Sequence, residues 1–405
     1  MRRHRLLTIF TIVFVNMLGF GLILPLLPFY AETFNASGTI VGLLVASYAA
    51  AQMIGAPVLG RISDRYGRRP ILLVSLLGSF FGFVLLGVAN ALWLLFASRI
   101  LDGLTGGNVT VARAYITDVT DEKDRAKGMG LIGAAFGLGF IIGPAMGGLL
   151  STGERYALPA FVAAALTALN LLAVYLWLPE SLGAERRAEL AAREREALSL
   201  RSLQAALSRP RVGPMLQIAF VFGLALAIFE GVFSLYAQKH LDLASNQIGY
   251  MLAYIGLLVA LVQGVAIGRL AARFEEERLL LGAAVVMTLS FIGWAYAPTV
   301  FAALLALAPL SLAIGVFSAT IHTALTKVVH FDEVGGILGL ATALSSLARA
   351  VGPATGGALF DLVGAWAPGM FAAVLTSWLV WQIWRQSVPA MQRPLSGLEQ
   401  EGSPR

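Results

Sequence analysis

Asp102 and Glu230 each lie inside a long apolar run, where an ionised carboxylate must find a partner, face a cavity or exchange a proton. On an ideal helix Arg99, Asp102, Gly106, Thr110 and Arg113 fall within an arc of roughly 80°, so the run around Asp102 has one polar face. Arg99 and Asp102 are three apart, a spacing that suits a permanent ion pair as well as a proton relay. Glu230 stands some sixteen residues into the run that starts near 214 and is the other deep carboxylate. It either exchanges a proton or accepts fixed hydrogen bonds.

Further along, Arg349 shares a helical face with Thr342, Ser345 and Ser346, and His322 shares one with Ser311, Gly315 and Ser318. Arg99 and Arg349 are read as groups that bind substrate or tune the two acids. His322, near the end of its run, suits a structural hydrogen bond better than proton carriage. Phe229, Phe233 and Tyr236 beside Glu230, with Tyr254, offer a wall for a lipophilic ligand, against the plainer reading of ordinary packing. No phosphate loop, paired zinc histidines or nucleophile elbow occurs. The expectation is a protein that is no enzyme and uses neither metal nor cofactor.

The elements that must hold these residues follow from composition. Of 405 residues 58% are apolar and 13% charged, with a mean hydropathy of +0.78, which leaves too little charge to cover soluble domains. Disorder is excluded by 23 Phe, 10 Tyr and 7 Trp, and zero cysteines exclude disulfides and thiolate sites. The net charge of +6 suggests nucleic acid until the basic residues are located; they lie almost wholly in short loops, so no nucleic-acid partner is expected.

Charges and turn residues cut the chain into twelve apolar stretches: 7–30, 38–60, 71–89, 91–113, 128–150, 157–178, 214–238, 247–268, 279–297, 300–324, 335–359 and 368–384. In lipid such stretches must be helices, because backbone groups have to bond within their own segment. Of 29 Lys and Arg, 24 fall on one side, two (Arg155, Lys239) on the other and three within spans, which places both termini in the cytoplasm. The basic start at Arg2, Arg3 and Arg5 precedes a run too long for a signal core and containing Pro25 and Pro28, so it reads as a retained first span.

An internal repeat divides the chain. Gly60-Arg61 recurs as Gly268-Arg269 at an offset of 208, and Gly143-Pro144 with Gly147-Gly148 recurs as Gly352-Pro353 with Gly356-Gly357 at 209. The expected organisation is an all-α membrane protein of twelve transmembrane helices in two pseudo-symmetric six-helix bundles, 1–178 and 214–385. A charged cytoplasmic linker, 179–213, joins them, and 386–405 form a cytoplasmic tail. A parallel repeat of this kind puts a site between the bundles near the midplane.

Three motifs carry a resemblance. The loop Gly60-Arg61-Ile62-Ser63-Asp64-Arg65-Tyr66-Gly67-Arg68-Arg69-Pro70 resembles the signature loop of the major facilitator superfamily, and its degenerate copy runs from Gly268 to Arg278. The run with Gly137, Gly139, Gly143, Pro144, Gly147 and Gly148 resembles the fifth-span motif of that superfamily's drug:proton antiporters. Gly19 to Pro28, Arg99 to Gly107 and Ala114 to Asp118 look like the tetracycline efflux branch, with one departure: Asn16 stands where those transporters usually carry an aspartate. A neutral amide carries no proton.

The resemblance implies a proton-coupled antiporter of the inner (plasma) membrane that exports lipophilic small molecules, a role in multidrug or tetracycline-like antibiotic resistance. Asp102 and Glu230, as the deep carboxylates, are read as the proton sites, and the resemblance implies a gating latch of Gly60, Asp64, Arg65, Gly67, Arg68 and Arg69 that forms in one state and releases in the other. Its partners are then the bilayer, a small-molecule substrate and protons, with the chain a monomer. The rival readings are an importer or uniporter of a sugar or metabolite, a receptor or scaffold that has lost transport, and a membrane enzyme.

Overall fold

A computed structural model describes residues 2–151, 156–183, 200–210, 212–327 and 333–391, with 185, 187 and 189 of the linker. Among these residues the chain is helical throughout and contains no strand. Before the linker run α1 (Arg2–Ile23), α2 (Leu27–Glu32), α3 (Gly38–Tyr66), α4 (Arg68–Gly87), α5 (Leu92–Leu104), α6 (Asn108–Val119), α7 (Glu122–Leu150) and α8 (Ala157–Trp177). A short α9 (Leu200–Leu207) leads into α10 (Val212–Leu241), α11 (Ser245–Leu261), α12 (Ile267–Arg273), α13 (Glu276–Ala295), α14 (Val300–Lys327), α15 (Val334–Leu362) and α16 (Ala367–Met391). Ten helices among the described residues are long and apolar enough to cross a membrane.

The stretch expected at 91–113 is not one continuous helix. It breaks into α5 and α6 at Thr105, Gly106 and Gly107, where the Thr105 hydroxyl bonds the Leu101 carbonyl at 2.8 Å and Gly106 N–H bonds Gly103 O at 2.9 Å. Two consecutive glycines cost helix stability, which permits the interruption. In the eighth stretch a π turn, Val262–Ala266, joins α11 to α12.

Elsewhere glycine spacing sets how the helices meet. A Cβ added at Gly139 would stand 2.5 Å from the Met17 Cβ, and one at Gly143 2.8 Å from the Gly21 Cα, so α1 and α7 touch backbone to backbone. The repeat copy does the same, Gly352 lying against Ala227 on α10. The helices before the linker bury two apolar cores, around Leu22, Leu44 and Phe83 and around Ile12, Leu72 and Tyr115. Those after it bury one, around Phe233, Phe291 and Trp294.

The N-terminal set (α1–α8) and C-terminal set (α10–α16) meet along two seams, α3 with α15 and α7 with α11. Both close at the face away from the linker, here the far face. There Gly148 packs on Asn246, Gly249 on the Pro144 carbonyl, Gly42 on the Pro353 carbonyl, and Gly357 on Gly38. Polar contacts ring the same face: Ser151 Oγ to Ser245 Oγ at 2.7 Å, and Glu32 with Lys239 at 2.9 Å and with the Gln238 amide.

Towards the linker face the second seam parts step by step. A Cβ at Gly256 would lie 3.1 Å from Phe140 O, while one at Gly137 would lie 3.9 Å from the Ala260 Cβ. At Gly133, Gly130, Gly264 and Gly268 it would meet nothing within 4 Å among the described residues. Among the described residues the two sets therefore form a crevice joined at the far face and parted towards the linker along this seam.

Candidate functional site

At the level where the seams begin to part lies a cavity of about 60 Å³ with walls from both sets. α1 contributes Phe20 and Ile23; α3 contributes Val45, Tyr48, Ala49 and Gln52; α5 contributes Arg99 and α7 Phe140. From the other side come Ala227, Glu230 and Gly231 of α10 and Arg349 and Pro353 of α15. Pockets for drug-sized ligands are about 300–1,000 Å³, so in this state the space suits water and small groups and must widen for a larger guest.

Arg99 is 2% exposed and Asp102 5%, and the Arg99 Nη1 meets Asp102 Oδ2 at 3.3 Å. The guanidinium also rests 5.6 Å from the Phe83 ring centroid, and its Nη2 has no protein partner. Arg99 thus forms part of the cavity wall with Asp102 directly behind it. The pairing is 3.3 Å long, at the outer limit of a charge-assisted bond, and leaves one guanidinium nitrogen for another acceptor. Glu230 and Arg349 complete the charged lining opposite. The four charged residues singled out from sequence are therefore brought together, Asp102 through its contact with Arg99.

The aromatic wall is different from the one expected. Phe229 is 3% exposed, Phe233 0% and Tyr236 1%; all three pack around Trp294, and the Tyr236 hydroxyl donates to Trp294 O at 2.8 Å. One residue along a helix is a turn of about 100°, which sends Phe229 into the C-terminal core while Glu230 faces the cavity. Tyr254 lines a separate groove with Leu243, Tyr250, Met251 and Val300. The aromatic residues at the cavity are instead Phe20, Tyr48 and Phe140, with Phe20 5.5 Å from Tyr48 and 5.9 Å from Phe140 between ring centroids. Phe20 and Phe140 sit inside the two glycine motifs, which was the available signal.

Asn16 lies one turn from Phe20 towards the linker face, half-buried and outside the cavity lining. The stripe of α14 does not reach the cavity either: Ser311 is 0% exposed with its hydroxyl on Leu307 O, and Gly315 packs on Val262. The side chain of His322 lies outside the described residues.

The loop between α3 and α4 is a buried charge cluster. Gly67 has φ +106°, and a Cβ there would strike the Glu180 carboxylate. Arg68, 4% exposed, reaches Asp64 at 2.6 Å, Asp118 at 3.0 Å and Ser63 Oγ at 2.7 Å. Glu180 accepts the N–H groups of Arg68 at 2.8 Å and Arg69 at 3.1 Å, as a carboxylate at a helix N-terminus should. Arg69 bonds Tyr175 O at 2.5 Å, Arg65 stacks on Tyr66, and Gly60 lies against Thr110. Every partner named belongs to the N-terminal set or the first linker residues. Asp118 stood in a quoted motif, whereas Glu180, just past the apolar run, had no spacing to flag it.

The sequence model of the Major Facilitator Superfamily matches residues 9–353 and, in an overlapping match, 218–403. The chain belongs to the Major Facilitator Superfamily. It is 33% identical over 353 residues to the tetracycline resistance protein, class C, of Escherichia coli, covering 86% of this chain and 88% of that one. It is 30% identical over 356 residues to multidrug resistance protein 2 of Bacillus subtilis (strain 168), covering 86% and 87%. Among solved structures, a human organic anion transporter aligns with a TM-score of 0.70 at 25% identity over 94% of this chain and 99% of that one. A bacterial homologue of the lysosomal transporter Spinster, described as inward-facing and occupied, aligns at 0.79 with 16% identity over 96% and 97%. This superfamily member is a multi-pass membrane transporter.

Proposed function

We propose that this superfamily member is a twelve-span, two-bundle efflux antiporter that exports lipophilic small molecules in exchange for protons by rocking residues 1–178 against 214–385. The broken α5–α6 segment is then the fourth span and α16 the twelfth. The positive-inside bias puts the linker face, both termini, 179–213 and 386–405 in the cytoplasm, and the chain acts as a monomer. Its curated relatives are named for tetracycline and multidrug resistance, which supports a lipophilic drug-like cargo. Asn16 sets it apart from the tetracycline branch.

The observation that carries the reading is the cavity where Arg99, backed by Asp102, faces Glu230 and Arg349 at the head of a crevice open to the linker face. Asp102 and Glu230 exchange the proton, and Arg99 and Arg349 tune them or hold substrate. Asp64 and Arg68 release the bundles in the state described and engage across the gap in the opposite one. One charge crossing about 100 mV is worth roughly 2.3 kcal/mol, and a tenfold gradient about 1.4 kcal/mol, so one or two carriers suffice.

The test is export of a lipophilic dye panel in everted vesicles energised by an imposed pH gradient. Collapse of the gradient and potential should stop export, and Asp102→Asn and Glu230→Gln should lose proton-driven export while substrate counterflow survives. Undiminished export after an uncoupler, or full proton-driven transport by both variants, would overturn the assignment.

A further inference from the structure

Asp361, in the last turn of α15, reaches across to the other set and sits on the start of α3. Its Oδ1 accepts the Gly38 N–H at 3.0 Å, and its Oδ2 accepts the Thr39 N–H at 2.6 Å and the Thr39 hydroxyl at 2.7 Å. The first N–H groups of a helix have no partner within it and carry its positive end, so a carboxylate placed there from outside meets both needs. Ser37, the helix's own cap, accepts the Ile40 N–H at a long 3.4 Å, and its side chain also bonds Asp361. The fit is tight: a Cβ at Gly38 would come within 2.6 Å of Asp361 Oδ1.

Among the described residues the remaining polar contacts between the sets at this face make fewer bonds each, although Asp361 is itself exposed. Ser151 and Ser245 share one neutral hydroxyl bond, and the Glu32–Lys239 pair is exposed on both sides at 30% and 39%. In the sequence the offset of 209 that maps Gly148 onto Gly357 maps Thr152, with no charge, onto Asp361. The two seams are built alike from Gly-Pro and Gly-Gly steps, and among the described residues the α3–α15 seam alone shows a carboxylate on a helix start.

We infer that Asp361 is the clasp of the far-face gate: its carboxylate, bonded to Gly38 and Thr39, holds the two sets shut on that face and must let go for the crevice to open there. This rests on the alternating-access reading above, although it needs neither a proton couple nor a particular cargo. Asp361 is itself exposed, which screens each bond, and the three lost together move the balance between the two states by about tenfold.

The absence of native cysteine makes the measurement direct. Val45→Cys places a single thiol in the cavity wall, to be labelled with a membrane-impermeant maleimide from each face of right-side-out and everted vesicles. Adding Asp361→Ala should raise the labelling rate from the far face by about tenfold and lower it from the linker face, with Asp361→Asn falling between. An unchanged far-face rate in an Asp361→Ala protein of undiminished thermal stability would overturn the clasp. Should Asp361→Ala fold poorly, Thr39→Val removes one of the three bonds and should give a smaller rise, no rise counting against the proposal. Equal labelling from both faces without any Asp361 change would sink alternating access itself, and the clasp with it.

Discussion

At the far face the two helix sets hold one another; at the linker face, among the described residues, the ion pairs stay within one set or join it to the linker. Gly148 lies against Asn246 and Gly42 against Pro353, whereas a Cβ at Gly133 or Gly264, about four to five turns away along the second seam, would meet nothing within 4 Å among the described residues. Arg68 bonds Asp64 and Asp118 within the N-terminal set, Arg278 with Glu275 and Lys327 with Glu276 pair within the C-terminal set, and Arg209 of the linker pairs with Glu333 of that set. Helices of one composition along their whole length are therefore in contact at one end and apart at the other. Glycine permits close approach, and which end uses that permission is set by the tilt between the sets.

The largest expected effect breaks the linker-face side of that contrast. Arg68→Ala leaves Asp64 and Asp118 as buried neighbours without their shared cation, and should cost about 3–5 kcal/mol, read as a fall in thermal unfolding temperature in detergent. Because Arg68 engages across the gap only in the opposite state, its loss should also lower labelling from the far face.

Next comes the closed seam. Gly42→Leu forces side-chain atoms into the Pro353 backbone and should cost about 1–3 kcal/mol of the far-closed state, visible as greater far-face labelling at Val45→Cys. Gly133→Leu, on the open side, should leave thermal stability unchanged yet slow turnover in vesicles, since the opposite state needs that space closed. Equal effects of the two would show that the seam is not bistable.

The smallest effect concerns exposed pairs. Glu32→Gln at the far face and Arg278→Ala at the linker face should each change stability by less than about 1 kcal/mol, and high salt should erase the difference. A large effect of Glu32→Gln alone would shift the clasp role from Asp361 to the rim.

Much of the architecture was legible because membrane solvent simplifies the rules. Apolar run lengths reported helices, and the small-residue steps reported where another helix can approach closely, though not which one. Arg99, Asp102, Glu230 and Arg349 were legible as a group because an ionisable residue in such surroundings has few places to go. The aromatic wall was not, since Phe229, Phe233 and Tyr236 form as good a stripe as any on paper, and only the packing of α10 on Trp294 turns that stripe inward. Asp361 looked like an ordinary residue at the end of a span, because its three partners are more than 320 positions away.

Composition and periodicity by themselves determined that this chain is a helical membrane protein, repeated once, with a few costly charges kept inside. Only the tertiary structure decided which side of each helix meets the crevice, that Asp361 fastens α3, and that the opening faces the linker. The reason is physical: burying apolar length is a local property of each segment, whereas the tilt of one set against the other is a balance of contacts between residues that no segment contains alone.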